Sequence, residues 1–248
     1  MNAGDAGLAF AWGLASGSGL LIGAVIGLYA NLPRRAVALV MGFGSGILIS
    51  VIAFDLMDEA FGHAGLLPVV GGFLGGAALF TVVSIALARA GARHRKRSTR
   101  GRDGANARAI AIGSIMDNIP ESIVIGLSLI DGEGVAIATF VAVFLSNVPE
   151  ALSSSAGMKA AGRKVSAVFR LWAVTMVLSG ILALVGYLVF AGLSSTATAL
   201  MQAAGAGALL AMIADTMIPE AFEETHDAAG LVAAIGFLVG FALSHGLA

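Results

Sequence analysis

Long apolar stretches separated by short polar connections recur along the whole chain, each close to the ~20 residues that an α-helix needs to cross a bilayer. Eight are found, over roughly 8–30, 35–57, 66–89, 109–130, 134–157, 166–191, 199–221 and 228–247. The pattern predicts an all-α membrane protein with eight transmembrane helices in a single transmembrane domain, 1–248. The one real linker is 91–108, rich in Arg, Ser and Gly. The first stretch is flanked by Asp5 and by no basic residue, so it lacks the charged leader of a cleavable signal and reads as a retained helix.

Composition bears this out. With 58% hydrophobic residues, 12% charged residues and a mean hydropathy of +0.94, the chain has too little polar surface to coat a soluble globule of 248 residues. It has no cysteine, which excludes disulfide frameworks, thiolate metal sites and cysteine nucleophiles. Any metal chemistry must use oxygen and imidazole. The 34 glycines suit closely packed membrane helices, and Gly19, Gly23 and Gly27 recur at the small-x3-small interval that lets backbones approach.

Charge then orients the spans, because Lys and Arg are retained on the cytoplasmic side. All 14 lie in or beside alternate connections. Arg34 and Arg35 follow the first span, eight basic residues from Arg89 to Arg108 follow the third, and Lys159, Arg163, Lys164 and Arg170 follow the fifth. The connections after spans two, four and six have none, which places both termini outside and supports the count of eight. After span seven come Glu223, Glu224, His226 and Asp227, acidic where basic residues are expected. The loop 91–108 reads as a topology-setting segment facing anionic lipid. It is too short for nucleic-acid binding, and His94 among cations is a poor metal ligand. The expected location is a plasma membrane of the bacterial inner-membrane type, crossed many times.

Two apolar stretches carry a costly interruption. Asn118-Ile119-Pro120-Glu121 and Asn147-Val148-Pro149-Glu150 stand 29 residues apart, in spans four and five. Residues three or four apart share a helix face, so Asp117, Asn118 and Glu121 converge, as do Ser146, Asn147 and Glu150. Pro120 and Pro149 cannot donate to the carbonyls of Met116 and Leu145, which are thereby exposed. Ionisable groups at membrane depth mark function by default. Packed face to face, the two helices would form an oxygen-lined chamber; the competing reading is a pair of kinks whose polar groups bond one another.

Spans two and seven also share a pattern. Asp55-Leu56-Met57 and Asp215-Thr216-Met217 are each followed by Glu-Ala-Phe, at Glu59 and Glu220, with one position inserted in the second. By the orientation above, the first cluster lies outside and the second inside, as an inverted repeat of helices 1–3 and 6–8 would place them. Asp58, Glu59 and His63 would gather cations outside. Glu220, Glu223, Glu224, His226 and Asp227 would receive them inside, with ordinary interfacial solvation as the competing reading.

In these features the chain resembles the ZIP (Zrt/Irt-like) divalent metal transporters, over essentially its whole length. The family's span-four signature, His-Asn-x-Pro-Glu-Gly, reads Asp117-Asn118-Ile119-Pro120-Glu121-Ser122 here, and the span-five counterpart reads Ser146-Asn147-Val148-Pro149-Glu150-Ala151. Gly42-Phe43-Gly44-Ser45-Gly46 and the run to Asp55 look like the family's second span, where His often stands at the position of Asp55. The resemblance implies a 3+2+3 arrangement of helices, a homodimer, membrane lipids as surroundings and no enzymatic activity. It implies no cofactor, with a divalent cation as transported substrate: Zn²⁺ first, as the family's usual ion, then Mn²⁺ or Fe²⁺. It further implies two adjacent metals, one among Asp117, Glu121, Ser146 and Glu150, the other among Asn118, Glu121, Asn147 and Glu150. The family's intramembrane histidines are missing: His63, His94, His226 and His245 all fall near span ends or in loops. Imidazole suits zinc, whereas carboxylate and carbonyl oxygen suit harder ions.

Two other classes compete with transport. A membrane hydrolase has hydroxyls in Ser146, Ser153, Ser154 and Ser155 but no histidine within a span to activate them. A non-transporting sensor or structural relative of the family would bind metal without flux.

Overall fold

The computed structural model describes residues 3–30, 32–89, 107–130 and 137–246. Among these, the regular elements are all helices: α1 (Ala3–Tyr29), α2 (Arg34–Val51), α3 (Met57–Ala64), α4 (Leu66–Leu87), α5 (Ala107–Leu127), α6 (Ile137–Ala160), α7 (Val165–Phe190), α8 (Ser195–Met212), α9 (Ile218–Thr225) and α10 (Asp227–Gly246). Of the basic linker, residues 91–106, with His94, lie outside the described residues.

Seven helical runs among the described residues are long and apolar enough to cross a membrane, so this is a multi-pass membrane protein. The eighth long helix, α5, has 21 residues and carries Asp117, Asn118 and Glu121. The structure lengthens two of the expected spans. Arg34–Ala64 and Ser195–Thr225 are each a continuous run of 31 residues. At about 1.5 Å per residue such a helix outreaches the ~30 Å hydrocarbon core, which lets its acidic end stand in the headgroup zone.

Both runs have the same construction. α2 passes into α3 through a five-residue π-helical segment, Ile52–Leu56, and α8 passes into α9 through another, Ile213–Met217. The N–H groups of Met57 and Ile218 reach back five residues, to the carbonyls of Ile52 and Ile213. Such segments open a helix locally and re-aim its side chains. At a constant offset of 161 positions, Ile52-Ala53 aligns with Ile213-Ala214 and Glu59-Ala60-Phe61 with Glu220-Ala221-Phe222. No position is inserted, which corrects the sequence expectation. Asp55 therefore matches Thr216, and Asp215 matches Phe54. The same offset pairs Gly65 with His226, the two positive-φ residues at which the chain turns into α4 and α10 (72° and 42°). His226 bears there a steric cost that glycine avoids.

The helices pair by close backbone contact. α2 lies on α10 and α4 on α8, while α1 lies on α6 and α5 on α7. A Cβ on Gly46 would fall well inside van der Waals contact of the Ala233 carbonyl, and one on the matching Gly207 would do the same at Phe73. Gly236 and Gly76 meet the carbonyls of Phe43 and Ala204 in return. Along α1, Gly19, Gly23 and Gly27 press on the carbonyls of Phe144, Val148 and Leu152 of α6. Outward faces carry large apolar side chains, such as Leu67, Leu79 and Leu238, which lipid accommodates.

Gly23→Ala and Gly75→Ala should therefore behave oppositely, since open space surrounds Gly75. Gly75→Ala should hold or raise the melting temperature in detergent through helix propensity. Gly23→Ala should lower it, at a cost of about 1–3 kcal/mol. Equal effects of the two substitutions would contradict the packing described.

Candidate cation site

The two quartets occupy the middle of α5 and α6, with Pro120 and Pro149 inside their helices. A proline in a helix removes one N–H and pushes against the carbonyl four residues back, so the gap in each helix's hydrogen-bond ladder lies beside the acids. The site is dry. Asp117, Glu121, Ser146 and Asn147 are 0% exposed, and Asn118 and Glu150 2%. Burying so many polar groups is costly unless each finds a partner.

A hydrogen bond bridges α5 and α6 beside the quartets: the Ser146 hydroxyl lies 3.1 Å from Glu121 Oε1 and 2.9 Å from the Val143 carbonyl. Neighbouring helices supply the rest. Asn147 Nδ2 donates to the Ser16 carbonyl of α1 at 3.1 Å, which fixes its amide and leaves Oδ1 buried with no hydrogen-bond partner among the described residues. The hydroxyls of Ser122 and Ser179 lie 3.2 and 2.9 Å from Asn118 Oδ1, and Asn118 Nδ2 has no partner among the described residues. Ser179 also stands 3.0 Å from the Thr175 carbonyl on α7. Ser114, one turn before Asn118, is 1% exposed.

Ser16, Ser114, Thr175 and Ser179 are absent from the sequence reading. Thr175 and Ser179 did leave a signal, being hydroxyls four residues apart in the apolar part of α7 beyond Arg170. Ser16 contributes through its carbonyl, which no side-chain pattern reveals.

The remaining expected residues lie apart from this centre. Asp55 is half-buried and accepts from Thr139 Oγ1 of α6 at 3.3 Å. Asp215 is exposed. The alignment explains the difference, because Asp215 takes the outward position of Phe54, which packs on Phe237 and Phe241, while buried Thr216 takes that of Asp55. Glu59 accepts from Gln202 Nε2 of α8 at 2.6 Å. Its counterpart Glu220 instead meets the Ser153 hydroxyl of α6. Glu223 and His226 are exposed, as are Asp58 and His63.

Ser153 and Glu220 border a cleft of about 110 Å³, lined also by Arg34, Ala38, Gly157 and Glu224. Arg34 and Glu224 face each other across 4.0 Å at its rim. Along α6 the cleft lies beyond Glu150, at Ser153, Ala156, Gly157 and Ala160. Beyond Pro149-Glu150, α6 continues with Ser153, Ser154 and Ser155; at the matching positions beyond Pro120-Glu121, α5 has Val124, Ile125 and Gly126. Val124 and Ile125 are 0% exposed. Past the prolines, α6 is therefore rich in hydroxyls where α5 is aliphatic.

Among the described residues no three Asp, Glu, His or Cys side chains gather closely enough to hold one ion. Any cation held here must draw on amide and hydroxyl oxygens as well as carboxylates. No protein-family model matches the chain, and no curated protein matches it.

Since the chain has no cysteine, each introduced thiol is the sole probe. Ala156→Cys, on the cleft wall, should react with a charged maleimide in detergent, whereas Val124→Cys should stay unmodified until the protein is denatured. Comparable native labelling of both would contradict this difference in exposure.

Proposed function

We propose that the protein carries divalent metal cations across its membrane toward the cytoplasm, through the carboxylate-lined site between α5 and α6. The observation that carries this reading is the Ser146–Glu121 contact, which joins two proline-containing, acid-bearing helices at a depth where every member is at most 2% exposed. Structural kinks need prolines but no acids. A divalent ion leaving water loses its hydration shell, and carboxylate and amide oxygens replace it while their charge offsets the desolvation.

The helix pairing supports a 3+2+3 arrangement in which helices 1–3 and 6–8 are inverted repeats. α2 on α10 matches α8 on α4, and α1 on α6 matches α7 on α5, with the π segments at equivalent places. Together with the alternating basic connections, this supports a reading with both termini outside and the cleft at Arg34, Glu220 and Glu224 on the cytoplasmic side. Ions then leave past Ser153 and Glu220, while Val124 and Ile125 close the outer half. Alternation would come from one bundle moving against the other, with the π segments as natural points of flexure. Zn²⁺, Mn²⁺ and Fe²⁺ are the candidate substrates. A non-transporting metal-binding sensor or structural relative is the second reading, and the lack of three gathered carboxylate or imidazole groups among the described residues favours the structural relative.

In proteoliposomes, the wild-type protein should take up divalent cations, and Glu121→Ala and Glu150→Ala should each abolish uptake while the protein remains folded. Undiminished uptake by both variants would sink the transport path. Binding with no flux in the wild type would establish the sensor.

A further inference from the structure

We propose that Ser179 and Thr175 of α7 orient the Asn118 amide so that α5, like α6, presents an amide oxygen to the chamber, completing an all-oxygen site for hard divalent cations such as Mn²⁺ and Mg²⁺. This rests on reading the site as a cation chamber. The two ends of an asparagine amide have the same shape, and only the hydrogen-bond network tells them apart. Ser179 has a single proton and two neighbours, the Thr175 carbonyl at 3.0 Å and the end of the Asn118 amide at 2.9 Å.

If that proton goes to the amide, the Asn118 NH₂ is a buried donor with no acceptor, among the rarest arrangements in folded proteins. If it goes to Thr175, as serines four residues beyond a helical carbonyl commonly do, Ser179 Oγ becomes an acceptor. A half-turn of the amide then lets its NH₂ donate to Ser179 and Ser122, and it puts Oδ1 at the buried place where Nδ2 finds no acceptor. The result repeats α6. There, Asn147 Nδ2 is committed to the Ser16 carbonyl and Oδ1 is a buried acceptor with no donor. Two helices with the same Asn-x-Pro-Glu quartet thus present the same atom, each fixed by the helix behind it.

An acceptor oxygen held without a donor, beside carboxylates and 0–2% exposed, suits a cation. Asn118, Asn147 and Ser146, with the carboxylates of their own helices, offer oxygen alone. Oxygen-only sites suit Mg²⁺ and Mn²⁺, and the advantage that imidazole gives zinc is lost. Ser179 is a positioning residue here, since it touches the amide and not the ion.

Mn²⁺ binding to the purified protein, followed by the loss of the free-ion electron paramagnetic resonance signal and competed with Zn²⁺ and Mg²⁺, tests this. Wild type should bind Mn²⁺, with Zn²⁺ displacing it no more than about tenfold better. Ser179→Ala should weaken Mn²⁺ binding roughly three- to tenfold, the usual effect of one lost buried hydrogen bond. Ser179→Thr should restore it, and Asn118→His should shift preference toward Zn²⁺ by at least about tenfold. A strongly zinc-selective wild type, or equal Mn²⁺ affinity in wild type and Ser179→Ala, would overturn the inference. Vesicle flux separates the premise: normal Mn²⁺ binding without flux contradicts transport alone, and no binding of any cation contradicts both.

Discussion

Everything at the centre of this protein depends on holding carboxylates and amides out of water. Asp117, Glu121 and Glu150 lie at most 2% exposed in a chain that is 58% hydrophobic, and low dielectric multiplies the cost of any charge left uncompensated. Hydroxyls and backbone carbonyls from four helices answer that demand: Ser146 on α6, Ser122 on α5, Ser179 on α7 and the Ser16 carbonyl on α1. Such a network is stable when complete and costly when partial. The Asn147 oxygen is therefore informative, being a buried acceptor with no donor among the described residues.

Glycine makes this arrangement geometrically possible. Because Gly19, Gly23 and Gly27 bring α1 against the carbonyls of α6, the Ser16 carbonyl comes within reach of Asn147. Gly126 approaches the Ala183 carbonyl in the same way and holds α5 against α7, where Ser179 meets Asn118. Close packing of backbones thus positions the polar centre, and larger residues on these faces would separate the groups that satisfy one another. The peripheral pairs, α2 with α10 and α4 with α8, use the same device around the two π segments.

Much of this was legible in the sequence. Span lengths and the alternation of basic residues anticipated the long helices, and the small-x3-small run in α1 anticipated its packing. The spacing of the quartets put Asp117, Asn118 and Glu121 on one helix face and Ser146, Asn147 and Glu150 on another, and Ser146 meets Glu121 between them. The π segments were not legible, since a one-residue widening of a helix leaves the apolar pattern nearly unchanged. That is why Asp55 and Asp215 read as equivalents when one is half-buried against Thr139 and the other is exposed. The supporting hydroxyls were missed for a related reason: Ser and Thr satisfy themselves on their own helix and look neutral in an apolar segment. Partners across helices, such as Ser153 with Glu220, are set by tertiary packing that no local spacing encodes.

The central claim is that a divalent cation sits between the two Asn-Pro-Glu helices. Anomalous scattering from crystals equilibrated with Mn²⁺ tests it most directly, because it locates the ion without reference to activity. A peak beside Glu121 and Glu150, within ligand distance of the Asn147 amide oxygen, is the expected result. Mn²⁺ bound only at the surface acids, with the α5–α6 centre empty at saturating concentration, would contradict it.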